Sequence, residues 1–160
     1  DGAVSVYAAD VDGDGDMDVL SASELDSEIF WYENDGNGIF NEHLISNLAF
    51  GAIAVYAADM DDDGDMDVLS ASPGIGKISW YENDGNQTFA MPGDEHVVSS
   101  NIDATSVFAA DVDGDGDMDI LSTNYEDNAI VWFENDNNNG NFNEHVISSD
   151  LDGDGYMDVL

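Results

Sequence analysis

The chain has no cysteine, which rules out both a disulfide framework and a thiolate metal site. It has a single lysine, Lys77, and no arginine. Such a surface cannot neutralise phosphates, so a nucleic-acid partner is excluded. No apolar run reaches the length of a membrane-spanning helix, and no membrane insertion is expected. No signal peptide or lipidation motif is visible, and the first residue already lies inside a repeat, so location must be read from chemistry. Proline occurs twice, and the 160 residues, 42% of them hydrophobic, suffice for one domain with a core.

Acid is what the chain has in excess. Asp and Glu number 37, giving a formal net charge of −36. Acidic tails stay disordered because they lack apolar groups to bury. Here the aspartates are interleaved with Val, Ile, Met, Trp, Tyr and Phe, so the sequence reads as folded. Confining these carboxylates in a compact fold costs self-repulsion, which bound cations would offset.

Three units align. They begin SVYAADVDGDGDMDVLSAS, AVYAADMDDDGDMDVLSAS and SVFAADVDGDGDMDILSTN, and continue to a Trp-Tyr/Phe-Glu-Asn segment and an Glu-His-Leu/Val ending. The first loop Asp precedes the repeat Trp by 21 residues each time, from Asp10 to Trp31, Asp59 to Trp80 and Asp111 to Trp132. Variation falls later, where the second unit inserts Ala90-Met91-Pro92-Gly93. Rigid spacing in one half and slack in the other implies a strand–loop–strand followed by a tolerant outer hairpin. Each unit reads as four strands. The innermost runs around Val6 to Ala9, the second passes through Val19 and Leu20, and Asp35-Gly36 and Asp84-Gly85 mark a tight turn into the last. The third carries Ile29, Trp31 and Glu33 on one face and Phe30 and Tyr32 on the other. Apolar residues on both faces imply a sheet sandwiched between neighbouring sheets. The expected fold is therefore all-β, with four-stranded antiparallel blades of a β-propeller. Units at about 3–47, 52–100 and 104–149 and a partial unit at 150–160 make up a single repeat domain.

The chemistry lies in the loop Asp-x-Asp-x-Asp-Gly-x-x-Asp. In the first unit Asp10, Asp12 and Asp14 place three carboxylates inside a tightly curled chain. Gly15 supplies the left-handed turn, Asp16 offers its carbonyl, and Asp18 closes the shell. The second loop uses Asp59, Asp61, Asp63, Asp65 and Asp67, and the third Asp111, Asp113, Asp115, Asp117 and Asp119. A fourth uses Asp150, Asp152, Asp154, Tyr156 and Asp158. Tyr156 at the seventh position fits a site to which only that residue's backbone contributes. All-oxygen, flexible ligation selects Ca²⁺ over Mg²⁺, one ion per loop and up to four. The first half of the motif matches an EF-hand loop, but its twelfth position is Ser21, in a strand, so a helix–loop–helix sensor is excluded.

With its Asp loop after a Val-Tyr/Phe-Ala-Ala strand and its Trp-Tyr/Phe-Glu-Asn-Asp segment, the chain resembles the FG-GAP/VCBS repeats of secreted bacterial proteins, which are similar to the blades of the integrin α-subunit propeller. The resemblance implies a loop joining the first two strands of a blade around a mainly structural Ca²⁺. Proteins carrying such repeats range from adhesins and lectins to polysaccharide-degrading enzymes, so the repeat alone fixes no activity.

The remaining recurrent residues read as structural. Trp31, Trp80 and Trp132 suit an inter-blade core better than a sugar-stacking platform. Glu33, Glu82 and Glu134 recur once per unit at a strand end, which suits satisfying turn or backbone groups rather than a glycosidase pair. His43, His96 and His145 fall on separate blades and share no zinc site. Met17, Met66, Met118 and Met157 are expected to anchor each loop to the core. The Asn86-Gln87-Thr88 sequon sits in a tight turn and carries little weight.

The repeat breaks once. His to the next loop Asp is 16 residues and then 15, but only 5 from His145 to Asp150, so the innermost strand of the fourth unit is missing. Either that blade is degenerate, or the sequence joins two segments near Ser149–Asp150; the second is favoured because a liganding loop without its strand has no anchor. Three blades and a fragment cannot close a ring, so further blades or another chain are expected to complete it. The function expected is a non-catalytic, calcium-stabilised extracellular or cell-surface module for binding or adhesion, with a protein or glycan ligand. The alternative is a lectin or the scaffold of a secreted polysaccharide-active enzyme. Extracellular calcium fills weak oxygen sites that cytosolic calcium leaves empty.

Overall fold

The computed structural model describes residues 2–86, 88–89, 93, 95–136 and 140–149. The fourth loop and the Ser149–Asp150 junction lie outside the described residues. Among the described residues, twelve strands form three sheets of four. The first holds β1 (Ala3–Ala9), β2 (Asp18–Ser23), β3 (Glu28–Asn34) and β4 (Phe40–Ser46). The second holds β5 (Ala54–Ala58), β6 (Asp67–Ser72), β7 (Lys77–Tyr81) and β8 (His96–Ser99). The third holds β9 (Ala104–Ala110), β10 (Asp119–Asn124), β11 (Ala129–Asn135) and β12 (Phe142–Ser148). Each is antiparallel in chain order, so every connection within a sheet is a hairpin. Among the described residues the only helical segment is the 3-10 turn Pro73–Ile75, and no helix is long and apolar enough to cross a membrane.

One register repeats in all three sheets. Leu20, Trp31 and His43 stand side by side in the first, as do Leu69, Trp80 and His96 in the second and Leu121, Trp132 and His145 in the third. The pairing slips at the same point of each outer hairpin, between Ile29 and Phe30, Ile78 and Ser79, and Ile130 and Val131. The extra outer-strand residue in the first sheet is Ile45, which the bulge leaves fully buried.

The core lies between sheets, as two-faced apolar strands require. One cluster joins Leu20, Ile29, Trp31 and Ile45 of the first sheet to Val55, Ala57, Val68 and Tyr81 of the second. The other joins Met60, Leu69, Ile78 and Trp80 of the second to Val107, Ile120, Val131 and Phe133 of the third. The innermost strands also meet through Tyr7, Tyr56 and Phe108, whose successive ring centroids lie 4.4 and 4.8 Å apart. The outward faces of the first and third sheets carry the same residue types uncovered. Val55 and Val107 are 6% and 8% exposed, but the corresponding Val6 is 73% exposed. Val11 and Met60 are 3% and 1% exposed against 43% for Val112.

One local expectation needs correction. Met17 and Met66 are exposed and do not anchor their loops; among the described residues Met118 alone of this series packs partly against a core, and Met157 lies outside them. They lie in the loop just before the buried Asp18 and Asp67, which begin the second strand of their sheets. The turn after β3 is tight, as expected. The Asp35 N–H donates to the Ile39 carbonyl at 3.0 Å, and the Asp35 carboxylate accepts the N–H groups of Asn37 and Ile39. Asp35 thus organises the turn through its side chain, and those two N–H groups hold its pKa below the ordinary value.

Candidate metal centres in the blade loops

Each Asp loop joins the innermost strand of a sheet to the second, so the spacing of the sequence motif becomes the reach of a short β–β connection. In the first loop Asp10, Asp12 and Asp18 bring carboxylate oxygens within 4.8 Å of one another; in the second Asp59, Asp61 and Asp67 do so. In the third the group is Asp111, Asp113 and Asp115. The fifth-position aspartates of all three loops, Asp14, Asp63 and Asp115, accept the N–H of the seventh residue, at 2.8, 2.9 and 2.9 Å, and only Asp115 also belongs to its loop's triad. Asp10 and Asp59 accept the N–H groups of Gly15 and Gly64, both at 3.0 Å. Those glycines have φ of 97° and 98°, as the curl of the loop demands. The fourth position is left-handed too, with φ of 73° at Gly13 and 84° at Gly114. In the second loop Asp62 occupies it at 62°.

The ninth-position aspartates are the most enclosed. Asp18, Asp67 and Asp119 are buried, and each accepts two backbone hydrogen bonds. Asp18 takes the N–H of Val11 at 3.0 Å and of Asn34 at 2.7 Å. Asp67 takes those of Met60 and Asn83 at 2.9 and 2.8 Å, and Asp119 those of Val112 and Asn135 at 2.9 and 2.8 Å. One carboxylate thereby ties the start of the loop to the end of the third strand.

The loops are electrostatically frustrated. Burial pushes the Asp67 carboxyl up to about 7, against the pull of its two N–H donors and with help from Asp61 and Asp63. Burial also raises Asp12 and Asp61, with the nearby aspartates adding to it. Asp113 is lowered by the Asp115 N–H, but desolvation and the charges of Asp115, Asp119 and Glu134 outweigh that and raise it. A divalent cation bound among these carboxylates would offset their mutual repulsion and favour their charged form. The donor set fits such an ion: it is all oxygen, and Asp10 Oδ1 and Asp61 Oδ1 are enclosed with no hydrogen-bond partner.

Asp16 and Asp65 at the seventh position belong to neither triad. Their side chains lie against Gly36 and Gly85 of the outer turn so closely that a Cβ there would collide. The positions proposed for a fourth ion, Asp150, Asp152, Asp154, Tyr156 and Asp158, lie outside the described residues.

The other recurrent side chains form a separate row. The expectation that Glu33, Glu82 and Glu134 satisfy turn or backbone groups is corrected. They meet His43, His96 and His145 at 2.8, 3.1 and 2.8 Å, and each imidazole stacks on its blade's Trp. Cross-strand register puts His beside Trp, and the next outward-facing residue on the Trp strand is that Glu. The three histidines share no site. Trp31 and Trp80 are buried and Trp132 is half-buried, so none is an open stacking platform. Of the sequon, Asn86 is held in its turn by Asp84, and Gln87 lies outside the described residues.

A feature missed in sequence is an amide that crosses between sheets. Asn83 Nδ2 donates to the Val11 carbonyl at 3.1 Å and to that of Met66 at 3.2 Å. Asn135 Nδ2 does the same to Met60 and Met118, both at 3.2 Å. The repeated Glu-Asn pair was visible in sequence, but its partner sits one blade away.

A cavity of about 470 Å³ opens at the opposite end of the second and third sheets, lined among others by Gly76, Asn101, Asp103, Asn124, Glu126 and Asp127.

In solved structures the chain is similar to a lectin of Agrocybe aegerita, described as specifically recognising non-reducing terminal N-acetylglucosamine. The TM-score is 0.62 at 21% identity, so the likeness is one of fold. It covers 96% of this chain and 39% of the lectin, so the chain spans well under half of that protein's length. No curated protein sequence matches the chain. A profile of the FG-GAP-like repeat matches residues 10–70 and 59–122, each match running from one Asp loop across the next. With the loops, the blades and the profile in agreement, the chain belongs to the FG-GAP-like repeat family.

Proposed function

We propose that this chain is a calcium-stabilised portion of an extracellular β-propeller that serves as a non-catalytic binding module. The observation that carries the proposal is the recurrence of one oxygen-only triad per blade, partly enclosed in the first two and exposed in the third, with Asp10 Oδ1 and Asp61 Oδ1 enclosed and lacking a hydrogen-bond partner among the described residues. The ligands are Asp10, Asp12 and Asp18, their equivalents in the second loop, and Asp111, Asp113 and Asp115, with Asp119 beside them. The fourth loop, led by Asp150, is proposed to hold a further ion. When bound, Ca²⁺ supplies charge neutralisation and cross-links the first two strands of a blade. The chain's own residues do the rest: the glycine and aspartate N–H groups orient the carboxylates, and the neighbouring sheet seals the ninth position. The uncovered faces bearing Val6 and Val112 are proposed to receive further blades, within a longer chain or from a partner. An extracellular setting follows from the millimolar calcium that weak all-oxygen sites require.

The test is thermal melting with calcium and with chelator. Chelation is expected to lower the melting temperature in one transition, without switching between two folded forms. Millimolar calcium that leaves the melting temperature unchanged would sink the proposal.

A second reading, glycan binding, is favoured by the 470 Å³ cavity, whose Asn, Asp and Glu oxygens are suited to accepting hydrogen bonds from hydroxyl groups. The fold-level likeness to a lectin that recognises N-acetylglucosamine points the same way. Glycan-array binding lost in Asp103→Ala or Asp127→Ala, with calcium-dependent melting intact, would support it. Array signal that is absent, or indifferent to these changes, counts against it.

A further inference from the structure

The hydrogen bonds around the three loops form one series. The Asp18 carboxylate holds the N–H of Val11 at 3.0 Å, and the carbonyl of Val11 accepts from Asn83 Nδ2 at 3.1 Å. The N–H of Asn83 donates to Asp67 at 2.8 Å, and Asp67 in turn holds the N–H of Met60 at 2.9 Å. The carbonyl of Met60 accepts from Asn135 Nδ2 at 3.2 Å, and the N–H of Asn135 donates to Asp119 at 2.8 Å. Asp119 holds the N–H of Val112 at 2.9 Å. Every residue in this series except Val112 is buried. Buried amide contacts are stronger and less forgiving than exposed ones.

We infer that Asn83 and Asn135 are positioning residues that couple the metal loops, so that filling one loop raises the affinity of the loop in the next blade. The inference rests on the cation reading proposed above. Its physical basis is preorganisation. A filled first loop fixes Val11, and Val11 fixes the Asn83 side chain. The Asn83 backbone then presents Asp67 with its N–H already in place, so the second ion bears less of the ordering cost. By reciprocity the second ion strengthens the first equally.

The repeat contains its own control. Asn34 occupies the same position in the first blade and donates Nδ2 to the Met17 carbonyl at 3.1 Å, the equivalent of the Asn83–Met66 bond. The inter-blade contact is therefore what distinguishes Asn83 and Asn135 from Asn34.

The experiment is a calcium titration of the ¹⁵N-labelled chain by NMR, with the amides of Gly15, Gly64 and Gly116 reporting the three loops separately. Disabling the first loop with Asp12→Asn is expected to raise the calcium needed for half-saturation at Gly64 about five-fold, the lower end of ordinary site coupling. In an Asn83→Leu background, which keeps the side-chain volume and the backbone N–H but loses the amide, Asp12→Asn leaves Gly64 unchanged. Asn34→Leu, which removes the bonds to the Met17 carbonyl and the Gly36 N–H but no inter-blade contact, leaves the five-fold effect in place. An Asp12→Asn effect of equal size with and without Asn83, or none in the wild-type background, overturns the inference. Should Asn83→Leu fail to fold, the second junction gives the same test: Asp61→Asn read at Gly116, with and without Asn135→Leu. Calcium that shifts none of the three glycine amides would instead refute the cation reading itself, an outcome distinct from uncoupled sites.

Discussion

Two residues in the second loop carry stresses that their counterparts show how to relieve. Asp62 has φ of 62° where the other two loops place glycine. A side chain in this region costs roughly 1 kcal/mol. Asp62→Gly is therefore expected to stabilise the chelated protein by up to about 1 kcal/mol in urea unfolding. Asp62→Asn, which removes the charge but keeps the side chain, separates strain from repulsion; if it matches glycine, strain is not the cause. Conversely Gly15→Ala, with open space around it but φ of 97°, is expected to lose about 1–2 kcal/mol from backbone strain alone. Asp67 carries the second stress. Its carboxyl is raised from 3.8 to about 7, so between those values the folded, cation-free protein holds a proton that the unfolded chain has released. By linkage, stability then falls as pH rises through that window and is recovered as pH drops through about 7. Calcium must displace the same proton, so calcium affinity moves oppositely and weakens as pH falls. Melting the chelated protein from about pH 4 to about pH 7 checks the sign. Stability that climbs with pH across this window would show that Asp67 is ionised throughout.

At the scale of the element, strand order and packing follow from the two-faced apolar pattern. Trp31 is the clearest case, fully buried between the first and second sheets with Phe89 of the second blade edge-on at 6.1 Å. Trp31→Ala is expected to cost about 3–5 kcal/mol. Trp132→Ala, at the same register position on an uncovered face, should cost roughly 1–2 kcal/mol. Equal losses in urea unfolding would mean that the sheet's own hairpins, and not the neighbouring blade, carry the stability. The blade was legible in sequence because periodicity, turn residues and the Asp loop all repeat at fixed spacing and act within one unit. What stayed hidden acts across strands or blades. The bulge that buries Ile45 adds no residue type that a pattern would flag. The Glu33–His43 pair depends on a cross-strand register, and the Asn83–Val11 bond spans two units. Met17 and Met66 lie exposed where Met118 at the same position packs against a core, a difference that the shared residue type does not reveal. The triads were legible as loops, but not the choice of Asp18 in one and Asp115 in another. That choice depends on how each loop curls, through contacts such as the Gly114 N–H to Asp111 at 2.7 Å.

Across the whole molecule, charge sets the terms on which the blades stay together. The one lysine, Lys77, pairs with Glu95 at 2.8 Å and leaves the formal charge at −36. Three ions in the described loops add +6 and leave −30, so calcium cannot act by neutralising the chain as a whole. Its effect must come from the triads themselves, where carboxylate oxygens of like charge sit within 4.8 Å of one another and, in the first two loops, are partly buried. Monovalent salt acts in the opposite manner. At about 1 M the screening length shrinks to roughly 3 Å, which quiets repulsion between distant carboxylates but not between those sharing a loop. The chelated protein is therefore expected to melt higher in about 1 M sodium chloride than in dilute buffer, while a calcium-dependent increment survives at both ionic strengths. Melting with and without calcium at the two salt levels separates the contributions. If salt alone recovers the full increment, general repulsion rather than loop binding governs stability, and the triads lose their special standing. If the increment persists, the loops act as local cross-links whose strength is indifferent to the surrounding field. Disabling one loop should then remove about a third of the increment if the sites are independent, and more than a third if Asn83 and Asn135 couple them.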